Sequence, residues 1–347
     1  MRLKFWQDPI YMDDTEPSSM GTIGRVSMGL IGLYLVVCVF LSWWWDTEPE
    51  HFPVRPNAAR MAELEDAELV TGFVSTATFI RVGTTLFEKR GGYLFNDMSP
   101  PGVWMDNIPE WEMGAVMLLR DTARVYRNDF SRSQSQSLED RDLQEAEGHF
   151  FFDASSWLLP PTESEYKRGL EYFDSYLTRL ADSADTTAQF YARADNLQQW
   201  LATVETRLGS LSQRLSASVG KRQLNTDLAG DAAATQATQA PRDQIVKTPW
   251  LEIDNVFYQT RGYTWALLHM LRALEQDFGD VLDKKNARVS LQQIIRELEP
   301  SQDTLWSPIV LNGDGLGMLP NHSLVMASYI ARANAAIIDL RTLLTQG

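Results

Sequence analysis

The sequence predicts an all-α protein: one N-terminal transmembrane helix joined to a large soluble helical bundle with long, coiled-coil-like helices. Three observations predict it. Residues 26–45 carry no charge over the length of a membrane span. Two later stretches place apolar residues at alternating steps of four and three: Leu197, Leu201, Val204, Leu208, Leu211 and Leu215, then Met326, Ile330, Ala333, Ile337, Leu340 and Leu344. No stretch has the period-two alternation of a half-buried strand.

The apolar run of 26–45 extends for roughly 30 Å as a helix, the thickness of the hydrocarbon core. Arg25 abuts one end, and Trp43, Trp44 and Trp45 form an aromatic belt at the other, ahead of Asp46, Glu48 and Glu50. A soluble core helix rarely continues so far without a charged face. The Trp-Trp-Trp-Asp-Thr-Glu-Pro sequence is a poor cleavage site, so an uncleaved signal anchor is expected. Arg2, Lys4 and Arg25 precede the run, whereas Arg55 and Arg60 are the Lys/Arg of the twenty residues after it. This asymmetry favours a cytoplasmic tail of residues 1–25 and a main domain on the outer face, the periplasm of a Gram-negative cell.

The 347 residues are 44% apolar and 22% charged, enough for a sizeable core in one large domain or two ordinary ones. Net charge is −15. The first 45 residues contribute −1 (Arg2, Lys4 and Arg25 against Asp8, Asp13, Asp14 and Glu16), which leaves −14 on the remainder. So acidic a domain is a poor match for nucleic acid and is repelled by anionic lipid. The lone cysteine, Cys38, sits in the apolar run, which excludes intrachain disulfides and multi-cysteine metal sites.

After the anchor, Pro49, Pro53 and Pro56 mark an extended spacer over 46–57, and an acidic helical domain follows over 58–347. A helix is expected over about 58–89, ending at Gly91-Gly92, with Val70, Phe73, Ala77, Ile80, Thr84 and Phe87 as its buried stripe. Residues 69–80 are nearly uncharged but too short for a second span. Pro109, Glu110 and Glu112 open a helix to about 128. Shorter helices are expected over 138–147 and from Glu163 to about 180. The first heptad seam belongs to a helix of about thirty residues with Asp185 as its cap. A polar loop, 225–242, then leads to a long helix carrying Phe257, Leu267, Leu271, Leu274, Phe278 and Val281, which could pack antiparallel on the seam helix. Four Trp/Pro segments, around Trp104, Trp157, Trp250 and Trp306, each precede a helix and hint at a duplication, although their separations are irregular.

Motifs for chemistry are sparse. The glycine-rich stretch from Asn312 to Ser323, with Asn312, Asp314, Gly315, Gly317 and His322, could cradle an anion before a helix. It lacks a P-loop lysine and the further acids of a calcium loop, and a tight turn capped by Asn321 or Ser323 is the simpler reading. His149 and Asp153 could share a metal if helical, and His269 reads as a satisfied core histidine. No Gly-x-Ser-x-Gly or His-Glu-x-x-His sequence occurs. Glu110, Glu112, Glu163 and Glu165 lie beside aromatic residues, as in sugar chemistry, yet they also fall where helix dipoles favour acids. No cofactor is expected.

The stretch Gly91-Gly-Tyr-Leu-Phe-Asn-Asp-Met-Ser-Pro-Pro-Gly-Val-Trp-Met-Asp-Asn-Ile-Pro-Glu-Trp-Glu112, and the layout of nearly the whole chain, resembles a proteobacterial family of single-pass inner-membrane proteins with a domain of unknown function. That resemblance implies a bacterial envelope location and transfers no catalytic residue. Three readings follow. The first is a membrane-anchored envelope protein whose helical domain docks partner proteins or other copies, with the heptad seam Leu197–Leu201–Val204–Leu208–Leu211–Leu215 as a packing or partner surface. The alternative is a tethered enzyme or binder acting on cell-wall glycan or lipid through Glu and Trp. The third, a transmembrane sensor, is disfavoured by the short N-terminal tail.

Overall fold

The computed structural model describes residues 22–134, 137–224, 243–307, 309–314 and 318–346. Among them are eleven α-helices: α1 (Thr22–Trp45), α2 (Val54–Glu65), α3 (Phe73–Glu88), α4 (Asn107–Val125), α5 (Arg141–Phe150), α6 (Thr162–Ala181), α7 (Ala194–Ser216), α8 (Ile253–Asp277), α9 (Gly279–Lys284), α10 (Arg288–Leu298) and α11 (His322–Thr345). Among the described residues the fold is all-α apart from a two-stranded antiparallel pair, β1 (Lys221–Leu224) and β2 (Asp243–Val246), in register Lys221 to Val246. Four-residue strands are too short to print a period-two pattern, which is why the sequence did not announce them. The predicted loop 225–242 lies outside the described residues.

Among the described residues two helices are long and apolar enough to cross a membrane. The best window of α1 has mean hydropathy 2.2 and is 6% buried, whereas that of α11 has 1.2 and is 39% buried. In α11 the residues Met326, Ile330, Ala333, Ile337, Leu340 and Leu344 are all in the core, as are the seam residues Leu197, Leu201, Val204, Leu208, Leu211 and Leu215 of α7. The two seams face each other: Ser212 Oγ bonds the Ala327 carbonyl at one end and Arg341 pairs with Glu205 at the other, so α7 and α11 are antiparallel.

Several boundaries depart from the expectation. The helix expected over 58–89 is two, because Asp66 (φ 51) and Gly72 (φ 91) turn the chain through left-handed conformations. What starts α3 afresh is Asp277, at the end of α8, whose carboxylate accepts the Ser75 amide at 2.7 Å. A cap supplied from two hundred residues away leaves no local signal. Asp185 caps a turn at Thr187 instead of a helix, and α7 begins at Ala194. The helix expected to run through Val281 breaks at Phe278 into α8 and α9. Finally, α7 packs chiefly on α11, and α8 packs on α4.

That α4–α8 contact organises the domain. The helices run parallel: Glu110 bonds Gln259 near their starts, and Phe130 meets Phe278, ring centroids 5.4 Å apart, beyond their ends. Asp106/Asp254, Asn107/Asn255, Gly114/Gly262, Leu119/Leu267, Arg124/Arg272, Asp129/Asp277 and Phe130/Phe278 are identical pairs at one constant offset of 148 residues. Like residues therefore sit opposite like residues, as across a two-fold axis along the helix pair. The surroundings repeat too. Helix α3 packs on α6 and α5 on α6, while α7 packs on α11 and α10 on α11. The core positions Tyr166, Leu170, Phe173 and Leu177 of α6 match Met326, Ile330, Ala333 and Ile337 of α11 at an offset of 160. The Trp/Pro segments are unevenly spaced along the chain because each half carries two of them, around Trp104 and Trp157 and then around Trp250 and Trp306.

Candidate functional site: the junction between α1 and the domain

Residues 46–52 do not dangle between α1 and the rest of the domain. They form an extended strap held along the domain by three sets of contacts. First, the Trp45 ring lies against Gly91, where a Cβ would come within 2.9 Å of it; with φ +84, that position suits only glycine. Arg90 lies over the Trp44 ring, 5.6 Å from its centroid.

Second, the Glu48 carboxylate receives both Nε and Nη2 of Arg261 at 2.6 Å. This is the planar, two-pronged geometry that makes Arg a strong carboxylate partner. The Arg261 side chain is 7% exposed, and its remaining donors go to the carbonyls of Ser301 (3.0 Å) and Asp303 (2.9 Å). One guanidinium thus ties the strap, α8 and the turn after α10.

Third, His51 and Phe52 stack on His269, with centroid separations of 4.9 and 4.1 Å. His269 Nδ1 donates to the Trp265 carbonyl one turn back (2.7 Å), and its Nε2 accepts the Phe52 amide (3.2 Å). Both nitrogens are used, and the arrangement requires a neutral ring. Burial holds the pKa of His269 down at about 3, with the neighbouring His51 and Arg272 pressing the same way. The folded chain therefore binds fewer protons here than the unfolded chain between pH 3 and 6.5. The contribution is fully present above pH 6.5 and is lost as the pH falls toward 3. Relative to a His269→Leu chain, the native protein should lose up to about 1.4 kcal/mol per pH unit across this window. Urea unfolding of both at pH 7, 5 and 4 checks this; a difference that does not change with pH would show that His269 is not held neutral.

Clefts flank the strap. One of about 450 Å³ is lined by His51, Arg81, Thr85, Glu88, Lys89 and Arg90, and one of about 480 Å³ by Glu48, Ile108, Tyr258, Arg261, Trp265 and Gln302. A third, of about 710 Å³, opens between Phe40, Trp43 and Trp44 of α1 and Tyr258, Leu305 and Ser307.

The other candidate residues lie elsewhere. Arg25 is exposed near the start of α1, and Trp43 and Trp44 are exposed at its end. The α7 seam is filled by α11 and offers no face to an outside partner. Asn312 and Asn321 close a small turn: Asn312 Oδ1 accepts from Ser323 Oγ, and Asn321 Oδ1 caps α11 through the Leu324 amide at 2.8 Å. His322 Nδ1 accepts the Leu311 amide, and its ring edges a cleft of about 500 Å³ with Phe257, Trp306 and Tyr329. Gly315 and Gly317 lie outside the described residues, and Asp314 is exposed. His149 pairs with Glu165 at 2.8 Å, while Asp153 accepts from Ser155. Among the described residues no group of three or more His, Cys, Asp or Glu could hold a metal.

The four acids have separate partners. Glu110 takes a hydrogen bond from Gln259, Glu163 from Asn96, and Glu165 pairs with His149 and Arg168. Glu112 is fully buried, 2.6 Å from Lys89, and accepts the amides of Leu94 and Phe95. Burial pushes its carboxyl up to about 7 against those partners. Its signal was in the sequence, since it shares one helical face with Ile108, Ala115 and Leu119. Glu48 and Arg261 left none, because 213 residues separate them.

This is an all-α bacterial protein with an N-terminal apolar helix locked to a helical domain. The chain belongs to the family described as uncharacterized protein conserved in bacteria (DUF2333), whose model matches residues 19–347. No curated protein and no solved structure matches it.

Proposed function

We propose that the chain is anchored in the bacterial inner membrane by α1, with a cytoplasmic N-terminus, and that its periplasmic domain is a rigid platform that docks other envelope proteins. The observation that carries this reading is the clamped junction. Glu48–Arg261 and Phe52–His269 hold the domain at one attitude to its anchor. Such a link suits a protein that positions others at a set distance from the bilayer, rather than one that ranges over a substrate on a flexible tether. Exposed Trp306, Ile309, Met318 and Leu319, on the loop before α11, supply apolar contact area of the kind partner surfaces use.

A photo-reactive side chain at Trp306 in cells, followed by mass spectrometry, should recover a reproducible protein adduct. Failure to recover any adduct from this position and from Met318, with the protein at native abundance, would overturn the docking role. A reporter fused at the C-terminus should be active only outside the cytoplasm; cytoplasmic activity would reverse the orientation. The four acids have separate partners, which gives the glycan or lipid reading no common pocket.

A further inference from the structure

The loop after Gly92 meets the anchor well before the anchor ends. Tyr34 donates from its hydroxyl to the Pro100 carbonyl at 3.4 Å. Tyr34 lies eleven residues before Trp45, about 16 Å along the helix axis. If α1 crosses the bilayer from Arg25 to Trp45, Pro100 lies near the middle of a hydrocarbon core roughly 30 Å thick.

The segment is built for such a place. Residues 98–105, Met-Ser-Pro-Pro-Gly-Val-Trp-Met, carry no charge, while Asp97 and Asp106 bound them. Met98, Val103 and Trp104 point outward, at 67, 50 and 54% exposure. Irregular backbone is tolerated in hydrocarbon only when its polar groups are satisfied. Here Pro100 and Pro101 have no N–H to satisfy. The amides of Val103, Trp104 and Met105 bond the carbonyls of Ser99, Pro101 and Gly102 at 3.2, 3.0 and 2.9 Å, and Tyr34 serves the Pro100 carbonyl. A second loop lies alongside, joined by Asn96 Nδ2 to Ser156 O (2.8 Å) and Tyr93 Oη to Ala154 O (3.0 Å). It exposes Trp157, Leu158 and Leu159, the last at 87%, and also carries no Lys or Arg from Phe151 to Pro161.

We propose that these two loops are a membrane-inserting face: the domain sits down on the leaflet that α1 leaves, with the 98–105 loop wedged beside the anchor and the 157–159 loop at its flank. The occupant is lipid, because the loop is continuous with the anchor and shares its depth. Neither loop carries a cation, so insertion is apolar and needs no anionic headgroup. The proposal rests on the reading of α1 as a span.

The test uses the full chain with Cys38→Ser, reconstituted in phosphatidylcholine vesicles with and without phosphatidylglycerol. Single cysteines carry an environment-sensitive fluorophore at Val103→Cys, Leu159→Cys, Leu35→Cys in the anchor, and Leu64→Cys. Leu64 is exposed at the end of α2, near the start of α3 and away from the anchor. Helical circular dichroism matching the native chain qualifies each variant. Spin-labelled lipid should quench Val103, Leu159 and Leu35 severalfold more than Leu64, equally in both vesicles, and iodide should do the reverse. If Leu35 is lipid-quenched while iodide reaches Val103 or Leu159 as freely as Leu64, the inserting face is overturned and the span stands. Loops shielded from both quenchers, or lipid quenching that requires phosphatidylglycerol, overturn it in favour of a protein contact or an electrostatic one. A Leu35 label open to iodide overturns the span itself.

Discussion

Replacing Gly262 by Ala should cost about 3 kcal/mol or more, at or above the top of the usual range for one added carbon, because it has nowhere to go. A Cβ there would fall well inside contact distance of the Trp111 carbonyl, and one at Gly114 would meet the Gln259 carbonyl and the Tyr263 amide. The obstacles are backbone atoms, so no rotamer change relieves them and α4 must move off α8. Both glycines sit at equivalent places on the pseudo-two-fold, so Gly114→Ala should cost a similar amount, and the double variant should cost less than the sum once the helices have parted. Gly148 is the control: nothing lies within 4 Å of a Cβ at this exposed position of α5. Gly148→Ala should stabilise by roughly 0.5–1 kcal/mol through helix propensity and the unfolded chain. Denaturant unfolding of the purified full chain measures all four variants, and a neutral Gly262→Ala would mean that the close crossing of α4 and α8 is wrong.

The second large effect is expected from Lys89→Met. Lys89 and Glu112 are 2 and 0% exposed, so breaking the pair strands a carboxylate out of water, at about 3–5 kcal/mol. Glu112 has its folded pKa above the ordinary 4.5, raised first by burial. Removing the ammonium raises it further, since Lys89 is the largest influence in the other direction. The folded chain then holds a proton that the unfolded chain has released, so the penalty should shrink as the pH falls from 8 to 5. Glu112→Gln leaves the ammonium unpaired instead and should lack this relief at low pH. The double variant, Lys89→Met with Glu112→Gln, should recover part of the loss. Unfolding midpoints at pH 8 and 5 decide the matter: a Lys89→Met cost that is unchanged by pH would show that Glu112 is not the stranded group. Because Glu112 also holds the Leu94 and Phe95 amides, either variant should loosen the loop that leads to Pro100.

Much of the architecture was legible in the sequence because it depends on short-range periodicity. An uncharged run bounded by Arg25 and three tryptophans identifies α1 without reference to any other residue. Likewise, the four-three spacing of Leu197 to Leu215 and of Met326 to Leu344 marks two helices and their buried faces, and both faces are in the core. The seams do not say what they pack against. Each accepts any complementary apolar ridge, and only the tertiary structure pairs α7 with α11 and α8 with α4. The internal repeat shows the same limit. Its identities are few and scattered along α4 and α8, and the chain's longer loop before α11 shifts the register between halves. They become visible when Gly114 and Gly262, or Phe130 and Phe278, are found opposite each other.

The candidate site was the least legible part for a related reason. The sequence by itself determined that this bacterial chain is helical and acidic, with an apolar N-terminal helix long enough to span a membrane. It could not say that the spacer after this helix is clamped. A proline-rich run reads as a semi-rigid connector, and the partners of Glu48 and Phe52 lie more than two hundred residues away. Only the tertiary structure decided that the segment after α1 is tied to the domain through Glu48–Arg261 and Phe52–His269 and that an uncharged loop lies against Tyr34. The physical reason is the range of the interactions: helix propensity and amphipathic spacing act within a few residues, whereas caps, buried ion pairs and histidine latches are made by whatever the fold brings within about 3 Å.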